Sequence, residues 1–423
     1  MRFALASYGT RGDIEPSIVV GRELQRRGHD VCIAVPPDLV RFAEAAGLDA
    51  VPYGAETQAW MDSFRKFSTT LFSRFWRIRD ISRSGLEIWK VTNESWMHMN
   101  QTLKLLANGA DLILAGQTYQ EIAANVAEYH GLPLATLHHV PMRPNGQVVT
   151  ILPAPASRFA VRVFDWLTWR LSKKVEDAQR SDLGLPKTTS SSPQRIAALG
   201  ALEIQAYDEV AFPGLAAEWE PWKRQRPFVG ALTMELATSA DDEVASWISA
   251  GRPPIFFGFG SIPVESPSEM VKMISGACAR LRERALICAG WSDFTDVPHS
   301  DHVKVVGAVN YSSIFPTCRA AVHHGGSGTT AASLRAGIPT LILSMDGNQI
   351  IWGAQVKRRL KVGTHRRLSA STEESLVADL RRILAPECAI RAHELAARMT
   401  TPADSVAKAA DLTENFAGSG RFA

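Results

Sequence analysis

Along the first fifty residues, apolar positions fall alternately into short unbroken runs and stripes at helical spacing. RFALASYG reads as a buried strand ending in a glycine-containing loop. PSIVVGRELQRRG follows, with Ile18, Val19 and Leu24 on one helical face and Gly28 as a C-cap. HDVCIAVPP is a second strand closed by prolines, and LVRFAEAAG a second helix closed by Gly47. ADLILAGQT and LPLATLHHVP read as later strands of the same sheet, and SRFAVRVFDWLTWRLSKKVEDAQR as a basic, aromatic helix. The rhythm restarts with PIFFGFGSI, a helix over 267–284, RALICAG, HVKVVGAV, RAAVHHGG, a helix from Thr329, and PTLILSM. This alternation predicts an α/β protein with two similar halves, each a Rossmann-like, doubly wound parallel sheet.

Between the halves, EWEPWKRQRPFVGALTMELATSADDEV is proline-rich and charged. It divides the chain into an N-terminal domain 1–225, a linker 226–245, a C-terminal domain 246–400 and a tail 401–423 expected to cross back to the first domain. Open α/β sheets bind ligands beyond the carboxyl ends of their strands, so two facing sheets make a cleft. Residues 58–106 break the pattern with Trp60, Phe64, Phe67, Phe72, Phe75 and Trp76 among many cations. Two core helices with solvated arginines account for this. The surplus of apolar bulk, repeated in Phe164, Trp166, Leu167 and Trp169, also fits an apolar channel for a hydrophobic ligand. Its rim, with Arg74, Arg77, Arg79 and Arg83, would meet the inner face of a membrane.

Composition narrows the class. At 423 residues, 46% hydrophobic and 21% charged, the chain is folded and holds two or three domains. A net charge of +3 points to no nucleic-acid partner. Five scattered cysteines without a CxxC pair fit reduced thiols in the cytoplasm. The N-terminal apolar run is shorter than a signal peptide's, and no run approaches a membrane span.

The stretch AAVHHGGSGTTAASLRAGIP places glycines and hydroxyls between a predicted strand and a predicted helix. Unpaired N–H groups at a helix start, with a backbone left bare by glycine, suit a phosphate or diphosphate. A tight turn flanked by satisfied histidines is the plainer alternative. A dinucleotide site is disfavoured, since the first strand lacks GxGxxG and the second ends in Val35-Pro36-Pro37.

Together, SYGTRGDIEPSIVVGRELQRRGHDV, VVGAVNYSSIFPTC and AAVHHGGSGTTAASLRAGIPTLIL resemble the GT-B fold glycosyltransferases of the sterol, macrolide and glycopeptide antibiotic branches. Within them, the look is of enzymes that decorate mycobacterial glycopeptidolipids and phenolic glycolipids. The resemblance spans residues 1 to roughly 365 and is weakest over 55–200, where that group recognises its acceptors. It implies an inverting transfer from a dTDP- or UDP-sugar to a lipidic acceptor, with no metal cofactor and at most peripheral membrane contact. A small hydrophobic natural product or sterol is the alternative acceptor, and a catalytically weak sugar-nucleotide-binding protein the alternative class.

The resemblance also assigns roles. Asp13, in GTRGD, is the base, although an aspartate there also caps a helix. His324 contacts the donor diphosphate, with Gly325, Gly326, Ser327, Gly328 and Thr329 supplying donors, while His323 packs beside it. Ser261 reaches the diphosphate from the other side or serves as a turn serine. Trp291 and Val309 hold the nucleoside, with buried core as the competing reading. In SMDGNQ, Gln349 keeps the family's sugar-binding position, Asn348 stands where relatives carry an acid, and Asp346 compensates or is a plain loop residue. Arg11, His138 and His139 are the candidate acceptor contacts, with satisfied loop residues as the default reading of the two histidines.

Overall fold

A computed structural model describes residues 1–58, 93–235, 237–260, 266–290, 301–345 and 347–419. Two six-stranded parallel sheets organise the chain. The first contains β1 (Arg2–Ala6), β2 (Asp30–Val35), β3 (Asp49–Pro52), β4 (Leu112–Ala115), β5 (Leu134–His138) and β6 (Leu202–Gln205), in the order 3-2-1-4-5-6. The second contains β7 (Ile255–Gly258), β8 (Ala285–Cys288), β9 (Val303–Val306), β10 (Ala320–His323), β11 (Thr340–Ser344) and β12 (Gly363–Arg367), in the order 12-11-10-7-8-9. Read from its other edge, the second order repeats the first. Each sheet therefore reverses direction once, between β1 and β4 and between β7 and β10, and ligands of such sheets gather at these points.

Five helices bear on function: α1 (Arg11–Arg26), α2 (Ala154–Asp182), α3 (Ser327–Arg335), α4 (Gly347–Ala354) and α5 (Pro402–Ser419). Helix α1 begins five residues before the PSIVV stripe that announces it, because Thr10 and Asp13 form a capping box. Pro16 is consequently inside the helix, and the Gly12 carbonyl loses its intrahelical donor. Helix α5 returns to the first half: Ala409, Ala410 and Phe416 share a core with Phe3, Leu5 and Ile14. Arg27 pairs there with Asp411 at 2.6 Å and also with Glu414.

The stretch read as a linker through residue 245 already contains a helix, Asp241–Ser249, whose Val244 and Ile248 belong to a core of the second half. Asp241 in its first turn also ties to that half, its Oδ1 accepting the Asn310 N–H at 2.9 Å. The halves meet in a shared apolar cluster, with Val140, Tyr207, Phe212 and Trp219 on one side and Leu334, Trp352 and Val356 on the other. Phe212 and Trp352 touch edge to face at 5.1 Å. Above this contact a cleft of about 2080 Å³ opens between the sheets.

Candidate active site in the interdomain cleft

On the first wall, the chain turns from β1 into α1 through Gly9, whose φ of +133° favours glycine. A Cβ there would lie 2.4 Å from Asp13 Oδ2, so the carboxylate can fold back only over a bare Cα. Thr10 donates to that oxygen twice, from its backbone N–H at 2.7 Å and from its hydroxyl at 2.9 Å. The other oxygen, Oδ1, lies 3.5 Å from His139 Nε2. Both residues line the cleft.

His139 follows directly after β5, and its backbone N–H donates to Gln117 Oε1 at 2.9 Å. Arg11 also lines the cleft, 3.7 Å from Glu15 and stacked over Phe42. His138 is a correction to the acceptor assignment. It is fully buried as the last residue of β5, among Thr136, Gln120 and Gln205, and does not line the cleft. Successive strand residues point to opposite sides, which separates the two histidines. Burial and the nearby Arg143 and Arg226 push the His138 imidazole well below its usual range.

On the opposite wall, β10 runs into α3. His323 is buried; its Nδ1 accepts the Gly325 N–H at 3.1 Å, which leaves the proton on Nε2, 3.4 Å from Ser333 Oγ. It therefore shapes the loop from behind. His324 faces the cleft between two glycines: a Cβ at Gly260 or at Gly326 would come within 2.5 Å of its ring. Its Nδ1 is buried without a hydrogen-bond partner among the described residues, and desolvation lowers its pKa to about 4, so the ring is neutral at physiological pH. Thr330 Oγ1 donates to the Gly326 carbonyl at 2.8 Å. The backbone N–H groups of Ser327, Gly328 and Thr329, in the first turn of α3, have no intrahelical acceptor and sit at the cleft. Glycine-lined backbone, free donors and a helix start form an anion cradle.

Val309 lines the same cleft and also packs in the second half's core. Gln349 is buried and its Oε1 accepts the Met345 N–H at 2.6 Å, whereas Asn348 is exposed in the first turn of α4. Ser261, Trp291 and Asp346 lie outside the described residues, as do 59–92 of the aromatic, basic stretch. Sequence reading missed Thr57, whose hydroxyl donates to the Gly9 carbonyl at 2.8 Å, and Gln117, which fixes His139. Neither belongs to a local motif, and their partners are distant in sequence. It also missed Arg335, which donates to Ala231 O at 2.7 Å, Thr233 Oγ1 at 3.0 Å and Thr400 O at 2.9 Å.

Two Rossmann-like halves closing a cleft, with an anion cradle on one wall and a carboxylate on the other, define the GT-B class of glycosyltransferase. A model of the glycosyltransferase family 28 N-terminal domain matches residues 3–95, and one of the erythromycin biosynthesis protein CIII-like C-terminal domain matches residues 286–413. An uncharacterized glycosyltransferase of Mycobacterium tuberculosis is 57% identical over 419 residues, 99% of each chain. The chain belongs to this family 28/EryCIII-like group of glycosyltransferases and is a transferase. A sterol 3-beta-glucosyltransferase of Arabidopsis thaliana is 29% identical over 380 residues, 85% of this chain and 57% of its own. Among solved structures, the glycotransferase of kitacinnamycin covers 98% of both chains at a TM-score of 0.70 and 17% identity. Glycosyltransferase VinC in complex with dTDP covers 98% of this chain and all of its own at 0.63 and 18% identity.

Proposed function

We propose that the protein is an inverting glycosyltransferase that moves a hexose or deoxyhexose from a dTDP- or UDP-sugar to a hydroxyl of a lipidic acceptor such as a cell-wall glycolipid. The observation that carries this reading is the placement of Asp13 Oδ1 and the His324 cradle on opposite walls of one cleft. In the reaction, Asp13 Oδ1 takes the proton of the acceptor hydroxyl as its oxygen bonds to the anomeric carbon. The bond from that carbon to the diphosphate breaks on the far side, which inverts the centre. The negative charge gathering on the diphosphate meets the N–H groups of residues 327–329 and a hydrogen bond from His324. Asn348 and Gln349 bind the sugar, and Val309 holds the nucleoside. His139, beside Asp13, and Arg11 face the acceptor.

Such an acceptor is drawn from a membrane, so the protein works at a bilayer surface. The sterol glucosyltransferase relative supports a second acceptor, a sterol or small hydrophobic natural product. Incubating the protein with a panel of nucleotide sugars and either lipid extract or sterols separates the two. Mass gains of hexose or deoxyhexose on extract lipids are expected. Gains on sterols alone would transfer the proposal to the second acceptor, and no gain on either would contradict it.

A further inference from the structure

Helix α2 carries a surface that the cleft chemistry does not use. Phe159, Val163, Phe164, Trp166, Leu167 and Leu171 are each between 37% and 80% exposed. At about 100° per residue they fall on one arc of roughly 160°. Arg170 and Lys174, both exposed, lie inside that arc, and Arg170 sits over the Trp166 ring at 5.9 Å. Arg162 flanks it. Over residues 159–174 the only acid, Asp165, is on the other side of the helix. The inward side is anchored separately by Trp169, Val175 and Gln179.

A globular helix ordinarily turns its apolar stripe to the core; this one keeps a second stripe outside, and contiguous exposed apolar surface of this kind marks a contact. We propose that the α2 arc docks on an anionic lipid bilayer, lying flat in the interface. Aromatic and aliphatic groups enter the acyl boundary while Arg170 and Lys174 reach the headgroups. No helix among the described residues is long and apolar enough to cross a membrane, so contact is in-plane.

Charge selects this occupant over two others. A second copy would set positive arc against positive arc. The chain's own residues 59–92 carry seven Lys and Arg against three Asp and Glu, and are positive too. Anionic headgroups complement the arc, each cation near such a surface adding attraction. The first turn of α2 is pinned to the half that holds His139: Ser157 Oγ donates to Asn145 O at 2.8 Å, and Arg158 pairs with Glu218 at 2.6 Å. The docking face and the acceptor wall therefore belong to one body. The surface rests on the lipid-acceptor reading for its purpose, and on the arc alone for its evidence.

Cosedimentation of the full chain with vesicles tests it, using phosphatidylglycerol mixed with phosphatidylcholine against phosphatidylcholine alone. The protein should partition onto the anionic vesicles. The double variant Phe159→Ser/Leu171→Ser, at the two most exposed positions of the arc, should lose on the order of 10-fold in partition with its Tm and its transfer to a soluble acceptor unchanged. Arg170→Gln/Lys174→Gln should bind both vesicle types alike. The proposal is overturned if the parent stays in the supernatant or if the serine variant binds like the parent. It is also overturned if that variant loses Tm, which would mean that the chain covers the arc itself, or if the parent is a dimer that the variant makes monomeric. Transfer that persists without vesicle binding would refute the surface and leave the enzyme standing.

Discussion

Asp13 divides its carboxylate between two tasks, and this division decides how its role can be tested. Oδ2 is occupied by Thr10, which starts α1, and Oδ1 faces His139 and the cleft. An alanine there removes the cap and the proposed base together, and loss of the cap alone costs about 1 kcal/mol. Asparagine keeps a carbonyl for Thr10 and removes only the oxygen proposed as base. His324 presents the complementary case. A neutral ring packed closely between two glycines at the cleft, with a buried nitrogen that has no partner among the described residues, carries one N–H with which to hydrogen-bond an anion. His324→Ala is expected to lower kcat/KM by about 10²–10³-fold, the range for removing one transition-state donor. Steady-state kinetics with varied donor would check this; a change under about 3-fold would reduce His324 to a packing residue.

At the scale of elements, the strand and helix rhythm was legible because parallel strands are buried on both faces and read as unbroken apolar runs. The start of α1 was less legible, since the Thr10 and Asp13 capping box lies upstream of the apolar stripe. His138 and His139 look equivalent as neighbours, and only the pleat at the end of β5 sends one into a polar core and the other into the cleft. Arg335 had no readable signal, because its partners arrive from residues 231–233 and 400–405. It ties the C-terminal end of α3 to the crossover between halves and to the start of α5. Burial lowers its pKa from the usual arginine value, so its charge is held at a cost and must be satisfied. Arg335→Met would take the donor from four carbonyl or hydroxyl acceptors and should cost about 2–4 kcal/mol. Thermal unfolding should show a Tm lower by on the order of 5 °C; an unchanged Tm would mean that the knot is incidental.

At the scale of the whole molecule, buried groups of opposite sign compete in the pH response. His323, lowered to about 3 by burial and by His324, and His324, lowered to about 4, stay neutral when folded, while unfolded histidines protonate below about 6.5. Their contribution is complete above about pH 6.5 and is lost as pH falls toward 3 to 4. Glu121, raised to about 7 by burial, acts in reverse: its contribution is present below about pH 4.5 and lost as pH rises through 7. A single-site comparison isolates one set. The stability difference between the parent and His323→Asn should be largest at neutral pH and shrink by about 1.4 kcal/mol per unit below pH 6.5. Denaturation series at pH 7, 6 and 5 would read it, and a pH-independent difference would place His323 in a less buried setting.

The two strand-end loops were legible, because GTRGD and HHGGSGTT each follow an apolar strand, whereas the contact that sets the halves against each other, Phe212 and Trp219 with Trp352 and Val356, joins residues distant in sequence. The direct test is the Asp13→Asn variant, assayed for sugar transfer and titrated calorimetrically with dTDP and UDP beside the parent. The account predicts transfer reduced by at least about 10²-fold, with nucleoside diphosphate affinity within about 2-fold of the parent's. Transfer at the parent's rate would contradict it.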